Sequence, residues 1–236
     1  MHEILAYCLF FLVAFLYASV GHGGASGYLA IMALLGFSAA VMKPTALLLN
    51  VLVSLMAFIS FYRAKHFRSG LLWPLIAASI PFAYIGSVMP VSEIVYKKIL
   101  GVVLLLSIIR LVMNPAEKPV AASPKWYVLF GIGAAIGLVS GMIGMGGGIL
   151  LSPLLLLFNW SNQKQTAAIS AIFIFLNSLA GIAGQLQKGF PLSGQIVAVV
   201  CVVLTGGWLG AYIGAEKLKS QNMKYILAAV LILAAG

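Results

Sequence analysis

The sequence predicts an all-α polytopic membrane protein with two inverted structural repeats, each a short glycine-tipped helical hairpin followed by three transmembrane helices. Of the 236 residues, 63% are hydrophobic and 8% are charged, and the mean hydropathy is +1.12. Soluble domains contain about 25% charged residues. Apolar runs of about 18 residues, the length of a transmembrane helix, recur along the chain. A series of short motifs also occurs twice. Residues 1–236 are therefore expected to form a single transmembrane domain.

The repeat is predicted from four short motifs that recur in the same order, at offsets of 121 to 127 residues. Such a constant spacing is typical of internal duplication. We expect the first repeat at about 4–113, the second at about 126–236 and a linker at about 114–125. The matching stretches are 21–24 with 144–147, 43–46 with 164–167, 84–86 with 208–210, and 97–100 with 224–227.

Each half contains five apolar segments, of which the first two are short. A helix of 17 residues rises only about 25 Å, whereas the hydrocarbon core is about 30 Å thick. A short helix, a glycine loop and another short helix therefore predict a re-entrant or broken hairpin with its tip inside the membrane. The segments are about 4–20, 28–42, 44–62, 71–90 and 95–113, then about 126–140, 149–160, 165–187, 192–215 and 222–236.

The positions of the 14 Lys and Arg residues predict the orientation, because cytoplasmic loops are enriched in positive charge. If each hairpin returns to the side from which it entered, the two halves are inverted. With the N-terminus outside, ten basic residues then lie inside and four outside, whereas counting each hairpin as one crossing gives seven on each side. We therefore expect an inner-membrane protein with both termini outside. The four outside residues are Lys43, Lys97, Lys98 and Lys188.

The glycine stretches at 21–27 and 144–148 predict a binding site. Irregular backbone at membrane depth is tolerated where it is buried in protein or lines a polar cavity, and glycine permits close approach of a ligand. The N-terminus of a following helix carries partial positive charge and binds anions. Two such loops, brought together by inverted repeats, are expected near the midplane. The candidate substrate-binding residues are Gly21, His22, Gly23, Gly24, Ser26, Tyr28, Thr45, Asn50, Gly144, Met145, Gly146, Gly147, Gly148, Thr166, Ser170 and Asn177.

Each candidate also has a structural interpretation. His22 either donates to an anion and carries a proton, or is a neutral histidine bonded to a backbone carbonyl. Because Met145 stands at the equivalent position, a symmetric pair of histidines is excluded. Hydroxyl side chains on helices commonly bond to their own helix. The glycines spaced by four at 133, 137 and 141 and at 206, 210 and 214 are typical of close helix packing.

Composition and motifs exclude several classes of protein. No nucleotide-binding loop, metalloprotease motif or nucleophile–base pair is present in the sequence, so neither an enzyme nor a cofactor is expected. All four acidic residues are Glu at segment ends or in loops, which disfavours a metal or carboxylate-lined cation site. The basic residues are scattered, so nucleic acid is not an expected partner. The expected partners are a small anionic substrate and the lipid bilayer, while a homo-oligomer stays open.

The two glycine motifs, Gly21-His22-Gly23-Gly24 and Ile143-Gly144-Met145-Gly146-Gly147-Gly148, resemble those of the sulfite exporter TauE/SafE family, or TSUP permeases. The resemblance covers nearly the whole chain. It implies a duplicated helical transporter of small anions, often sulfur-containing, such as sulfite, thiosulfate or organosulfonates. The glycine motifs of the family carry over to 21–24 and 144–148.

These observations lead to one hypothesis and two rivals. The hypothesis is a secondary transporter that moves a small oxyanion by alternating access. The first rival is a transporter of a cation or other small metabolite on the same scaffold, with loop carbonyls as ligands. The second is a non-transporting membrane subunit whose glycines serve packing alone.

Overall fold

The computed structural model describes residues 2–89, 120–121, 124–187 and 194–235, and the fold of these residues is helical. They include a 3₁₀ turn, Ser69–Leu71, and a π-helical turn, Ile213–Lys217. The predicted segment at about 95–113 lies outside the described residues. The helices are α1 (His2–Ser19), α2 (Ala25–Leu34), α3 (Ala39–Arg63), α4 (Leu72–Val88), α5 (Trp126–Ile143), α6 (Gly148–Leu157), α7 (Gln163–Leu186), α8 (Gly194–Tyr212) and α9 (Ser220–Ala235).

The described helices are consistent with a polytopic membrane protein, as predicted. Five of them are long and apolar enough to cross a bilayer, and three apolar helices are shorter. The five candidate spans are Val41–Arg63, Ser69–Val88, Trp126–Ile143, Gln163–Leu186 and Val197–Lys217, and the shorter helices are Ile4–Ser19, Ala25–Leu34 and Gly148–Leu157.

Three predicted boundaries are wrong. The second segment was expected over 28–42, but α2 ends at Leu34, because the chain turns at Gly36, whose φ is +76°. The helix α3 then begins at Ala39 and continues through Pro44, where the prediction had placed a break. Pro44 is the sixth residue of α3 and has no amide hydrogen to donate to Ala40 O, so the helix lacks one main-chain hydrogen bond there. The fifth helix extends from Trp126 to Ile143 instead of ending near residue 140.

The helices of 126–212 repeat the lengths of those in 2–88. The helices α1 to α4 have 18, 10, 25 and 17 residues, and α5 to α8 have 18, 10, 24 and 19. Their packing repeats as well. The extensive contact of α1 with α8 corresponds to that of α5 with α4. The contact of α3 with α8 corresponds to that of α7 with α4. The helices α3 and α7 pack on each other at the centre.

The two glycine stripes form close helix contacts, which confirms their predicted role in packing. Small residues spaced by four allow two helix backbones to approach closely. A Cβ added at any of these glycines would overlap the backbone of the facing helix. On α5, Gly133, Gly137 and Gly141 face Leu75, Ser79 and Ala83 of α4. On α8, Gly206 and Gly210 face Phe11 and Phe15 of α1, and Gly214 of the π-helical turn that follows faces Ser19.

The central helices α3 and α7 run antiparallel. The early residue Leu47 of α3 lies against Gly181, late in α7. One turn further along α3, Asn50 Nδ2 donates to Ser178 Oγ at 3.0 Å. The glycine loops between α1 and α2, and between α5 and α6, lie beside the middle of this pair. The fold therefore brings both loops to the buried centre of the bundle.

Candidate functional site

Both glycine loops begin with the same helix ending. Gly21, with φ +79°, closes the turn after α1, and the next amide, of His22, donates to Tyr17 O at 2.8 Å. Gly144, with φ +83°, directly follows α5, and the next amide, of Met145, donates to Ser140 O at 3.2 Å. A left-handed residue that closes a helix is favoured as glycine, because no Cβ clashes with the backbone. The glycines thus allow the chain to reverse within a few residues.

The next two helices begin after glycines, which have no side chain to accept a capping hydrogen bond. The N-cap residues are Gly24 before α2 and Gly147 before α6, both left-handed, and neither provides a side-chain hydrogen bond. In α2, the amide of Ala25 instead donates to Asn50 Oδ1 on α3, at 3.2 Å. The first amides of a helix have no intrahelical acceptors and carry partial positive charge. The loops therefore direct two positive helix ends toward the centre.

The loops meet at a small buried cavity between the two hairpins. Its volume is about 10 Å³, which is room for about one water molecule. Among the residues that line it there is no carboxylate. A sulfur oxyanion is larger than this space. The lining residues are Tyr17, His22, Gly23, Gly24, Ala25, Asn50, Met145, Ile149 and Ile174.

Asn50 connects the two loops. Its Oδ1 accepts from the Ala25 amide at 3.2 Å. Its Nδ2 donates to Met145 O at 3.3 Å and to Ser178 Oγ at 3.0 Å. A Cβ at Gly23 would overlap the Asn50 side chain, and one at Gly146 would lie 2.6 Å from Asn50 Nδ2. Glycine is therefore required in both loops because one buried amide side chain occupies the space between them.

His22 joins the first loop to the second hairpin. Its Nδ1 lies 3.2 Å from Val20 O, and its Nε2 lies 3.2 Å from both Gly148 O and Ser152 Oγ. A neutral ring donates either from Nδ1 to Val20 O or from Nε2 to Gly148 O, and in the first tautomer Nε2 accepts from the Ser152 hydroxyl. Ser152 Oγ is also 2.7 Å from Ser170 Oγ. A polar chain thus runs from α7 through α6 to the first loop.

The aromatic hydroxyls around α2 differ in their partners. Tyr17 Oη lies 2.7 Å from Ser26 Oγ. Tyr28 is fully buried, and its hydroxyl has no hydrogen-bond partner among the described residues. A Cβ at Gly24 would lie 2.7 Å from this hydroxyl, so Tyr28 Oη is next to the loop. A buried hydroxyl without a partner is rare in proteins.

The remaining predicted residues lie further from the cavity. Thr166 Oγ1 is 2.7 Å from Ser161 Oγ, at the start of α7. Asn177 Nδ2 donates to Phe173 O of its own helix at 2.8 Å, while its Oδ1 has no partner in the described part of the chain. Thr45 is buried near the N-terminus of α3. Gly147 packs against Ile136 and Phe173, and Gly148 packs against Ile174.

The comparison with known proteins identifies the family. The model of the family "Sulfite exporter TauE/SafE" matches residues 6–236. The chain belongs to the TauE/SafE family. It is 35% identical over 228 residues to "Probable membrane transporter protein y4hK" of Sinorhizobium fredii (strain NBRC 101917 / NGR234), across 94% of this chain and 92% of that protein. It is also 30% identical over 130 residues to "Probable membrane transporter protein YunE" of Bacillus subtilis (strain 168), across 53% of this chain and 46% of that protein.

The match confirms the predicted family and the prediction of a membrane transporter. The relatives are named as transporters and not as enzymes. In this TauE/SafE protein, no group of three or more His, Cys, Asp or Glu that could hold a metal ion occurs among the described residues. The polar side chains that line the cavity are one carboxamide, one imidazole and one phenol hydroxyl, of Asn50, His22 and Tyr17. None of the lining residues carries a carboxylate, the ligand that hard cations prefer.

Sequence reasoning missed several residues of this TauE/SafE site. Tyr17, Ile149 and Ile174 line the cavity, and Ser152 and Ser178 bond to His22 and Asn50. They lie at ordinary helical positions, and nothing in the local sequence distinguishes them from packing residues. Ser152 and Ser178 bond to residues more than a hundred positions away, so only the packing of distant segments makes them part of the site.

Proposed function

We propose that this protein is a secondary transporter of a small anion, most consistent with a sulfur oxyanion such as sulfite, thiosulfate or an organosulfonate. The observation that carries the proposal is the meeting of two glycine-capped helix N-termini at one buried cavity without a carboxylate. Each helix end favours negative charge. The family description supports the sulfur oxyanion class.

The repeated helix lengths and contacts support two inverted repeats. If α1 to α4 and α5 to α8 are equivalent units, a two-fold axis relates them. This axis exchanges the contact of α1 with α8 for the contact of α5 with α4, and it maps the contact of α3 with α7 onto itself. The axis lies in the membrane plane, because the equivalent helices α3 and α7 are antiparallel. The hairpins then enter the membrane from opposite faces, which is the arrangement of many alternating-access transporters.

Transport in this scheme requires the anion to replace internal partners. The anion accepts from the Ala25 amide in place of Asn50 Oδ1, and the Asn50 carboxamide turns its Nδ2 toward the bound oxygen. The hydroxyl of Tyr28 supplies a further donor. As the cavity holds about one water in the closed arrangement, the anion separates the hairpins on one face at a time. Apart from His22 and Met145, residues 21–24 and 144–147 are glycines, which allow this movement because glycine has no Cβ.

The proposal is tested by ligand-dependent stability and flux. Purified protein is melted in detergent with sulfite, thiosulfate, sulfate, a sulfonate, nitrate, Na⁺ or divalent metals, since a ligand of the folded state raises its apparent stability. We expect one sulfur oxyanion to stabilise the wild type and to be transported into proteoliposomes. In Asn50→Asp the side chain keeps its shape but adds a negative charge. The affinity for the anion, derived from its stabilising effect, should therefore fall at least about tenfold.

The control is Gln185→Glu on α7, because Gln185 is a buried amide that donates to Ser87 O and does not line the cavity. It introduces the same charge change away from the site and should keep the anion response. A cation that stabilises the wild type, with no anion effect, would contradict the proposal and favour the loop carbonyls as ligands. If Asn50→Asp and Gln185→Glu lost the anion response equally, the cavity would not be the binding site.

A further inference from the structure

We propose that His22 binds a proton together with the anion, so that each anion is carried with one proton. This inference rests on the proposed anion transport and adds a coupling ion to it. His22 lies in the first glycine loop, is buried and lines the cavity between the hairpins. Histidine is the side chain that gains and loses a proton most readily near neutral pH. A proton on this ring is therefore next to the space in which the anion is proposed to bind.

Both ring nitrogens of His22 face main-chain oxygen atoms. Val20 O lies 3.2 Å from Nδ1, and Gly148 O lies 3.2 Å from Nε2. A carbonyl oxygen accepts hydrogen bonds and donates none, and a neutral imidazole has a single N–H. The neutral ring can therefore donate to one of these two carbonyls, whereas the protonated ring donates to both. The main chain around His22 thus presents the acceptors that the charged form requires.

The hydroxyls of Ser152 and Ser170 accommodate both forms of the ring. Ser152 Oγ lies 3.2 Å from His22 Nε2 and 2.7 Å from Ser170 Oγ, and a hydroxyl can both donate and accept. When the ring is neutral and carries its hydrogen on Nδ1, Ser152 donates to Nε2. When Nε2 takes up a proton, the Ser152 hydroxyl rotates and donates to Ser170 instead. The ring can therefore change its charge without losing a hydrogen bond at either nitrogen.

The protonated ring requires a counterion, because a buried charge without a partner is strongly unfavourable. None of the residues that line the cavity is acidic, and the side chains of α3, α6 and α7 that line it or extend the hydrogen bonds of His22 are uncharged. The ionisable neighbours are the phenols of Tyr17, which lines the cavity, and Tyr28, which lies at Gly24 of the same loop. Phenols stay uncharged near neutral pH. An anion in the cavity is therefore the group that can neutralise the ring.

The second loop supplies neither a second histidine nor a negative charge. Met145, whose thioether binds no proton, stands at the position equivalent to His22. The basic side chain of Lys43 packs on Gly144 of this loop and cannot act as a counterion for the ring. One histidine therefore serves both loops, and we expect one proton for each anion. A monovalent anion such as a sulfonate then crosses without net charge, so a pH gradient drives it and the membrane potential does not.

The alternative role of His22 is structural, as a neutral ring that joins the first loop to α6. Glutamine separates the two roles, because its amide can donate to Gly148 O but cannot take up a proton. If the proton is coupled to the anion, His22→Gln loses the pH dependence of anion binding. If the ring only joins the hairpins, the variant keeps the same pH dependence as the wild type. The matched control is His66→Gln, since His66 follows the C-terminus of α3 and does not line the cavity.

The experiment measures proton uptake when the anion binds. Thiosulfate, methanesulfonate or sulfite is added to the protein in weakly buffered detergent solution with a pH indicator, and Kd is measured at several pH values. The first two do not titrate near neutral pH, and for sulfite the difference between wild type and His22→Gln isolates the ring. We expect the wild type to take up as much as about one proton per anion, and its Kd to rise by as much as about tenfold per pH unit. His66→Gln should behave like the wild type, whereas His22→Gln should take up no proton and bind with a Kd independent of pH.

Flux into proteoliposomes gives a second measurement on the wild type alone. Uptake of the anion should accelerate when the outside is made more acidic, and protons should enter with it. The inference is overturned if the wild type binds an anion without taking up a proton, which requires no variant to fold. It is also overturned if His22→Gln keeps the proton uptake of the wild type. A wild type that binds and moves no anion at all contradicts the proposed function itself, which is a distinguishable result.

Discussion

At the scale of single residues, the charge of Lys164 affects a neighbouring histidine. His66 lies in the loop after α3 and is half-buried. Burial lowers the pKa of His66 below its usual 6.5, the nearby Lys164 ammonium lowers it further, and the Ala215 carbonyl and Glu216 oppose the shift. His66 thus reports whether Lys164 is close and charged.

The lowered pKa of His66 predicts a pH dependence of stability. In the unfolded chain the group binds its proton near pH 6.5, and in the folded protein only at lower pH. Stability from this group is therefore complete above pH 6.5 and decreases as the pH falls from there toward the folded pKa. We expect His66→Gln to flatten the fall in melting temperature below pH 6.5 in detergent.

The same measurement on Lys164→Gln provides a control for the cause. Without the ammonium, the pKa of His66 should move back toward its usual value, so less stability should be lost at acid pH. If the pH dependence of the melting temperature were unchanged in both variants, other titrating groups would control the loss of stability at acid pH. His22 remains in every variant and does not affect the comparison.

The residues of the site were predictable to different degrees. Gly23 was identified because glycines are unusually dense in the loop, and Asn50 was predicted as a polar residue on the helix that follows the first hairpin. Ser178 was not, because a serine in a membrane helix commonly bonds to its own backbone. Its place in the site depends on Asn50, which lies 128 positions away.

At the scale of helices, the glycine stripes decide how closely neighbours approach. The stripe on α5 lies on the backbone of α4, and that on α8 lies on α1. In a bilayer such contacts depend on close packing, because lipid is as apolar as the side chains. The spacing of four made both stripes recognisable in the sequence. The spacing does not indicate which helix each stripe contacts, so the partners could not be predicted.

Two glycines of the same helix should respond oppositely to alanine. Gly137 faces the Ser79 backbone, whereas Gly131 is exposed, and an added Cβ there meets no atom within 4 Å. We expect Gly137→Ala to lower the free energy of unfolding by roughly 1–3 kcal/mol through overpacking. Gly131→Ala should raise it by about 0.5–1 kcal/mol, because alanine favours the helix. Unfolding in mixed micelles compares the two variants, and equal effects would contradict the close contact.

The helix ends were predicted less well than the helices themselves. Hydrophobic length identified the segments, but it gave no sign that α3 continues through Pro44 or that α8 ends in a π-helical turn. The turn matters because it contains Ala215, whose carbonyl accepts from Lys164. A π-helical turn forms where local packing favours an extra residue in the helix, and packing is not encoded in the hydrophobic pattern of one segment.

At the scale of the whole molecule, the packing of the helices places polar groups at the centre, and no carboxylate lines the cavity. Irregular backbone in a membrane protein is stable only where neighbouring helices satisfy or cover it. Here the long central helices α3 and α7 cover both loops, and Asn50 from α3 bonds to each of them. The duplication was predicted from motif spacing, and the helix lengths and contacts support it. Its sidedness in the membrane stays a prediction from charge.

That sidedness can be measured by labelling exposed positions with a membrane-impermeant maleimide. The exposed native cysteines, Cys8 and Cys201, are first replaced by alanine. Ser38→Cys, before α3, and Gln187→Cys, after α7, should react from outside, because these two ends lie together in the antiparallel pair. Ser69→Cys and Asn162→Cys, which are also exposed, should react only from the cytoplasmic side, where the positive-inside rule places most basic residues. If Ser38→Cys and Asn162→Cys were labelled from the same face, both hairpins would enter the membrane from one side. Alternating use of the central cavity by inverted hairpins would then be excluded.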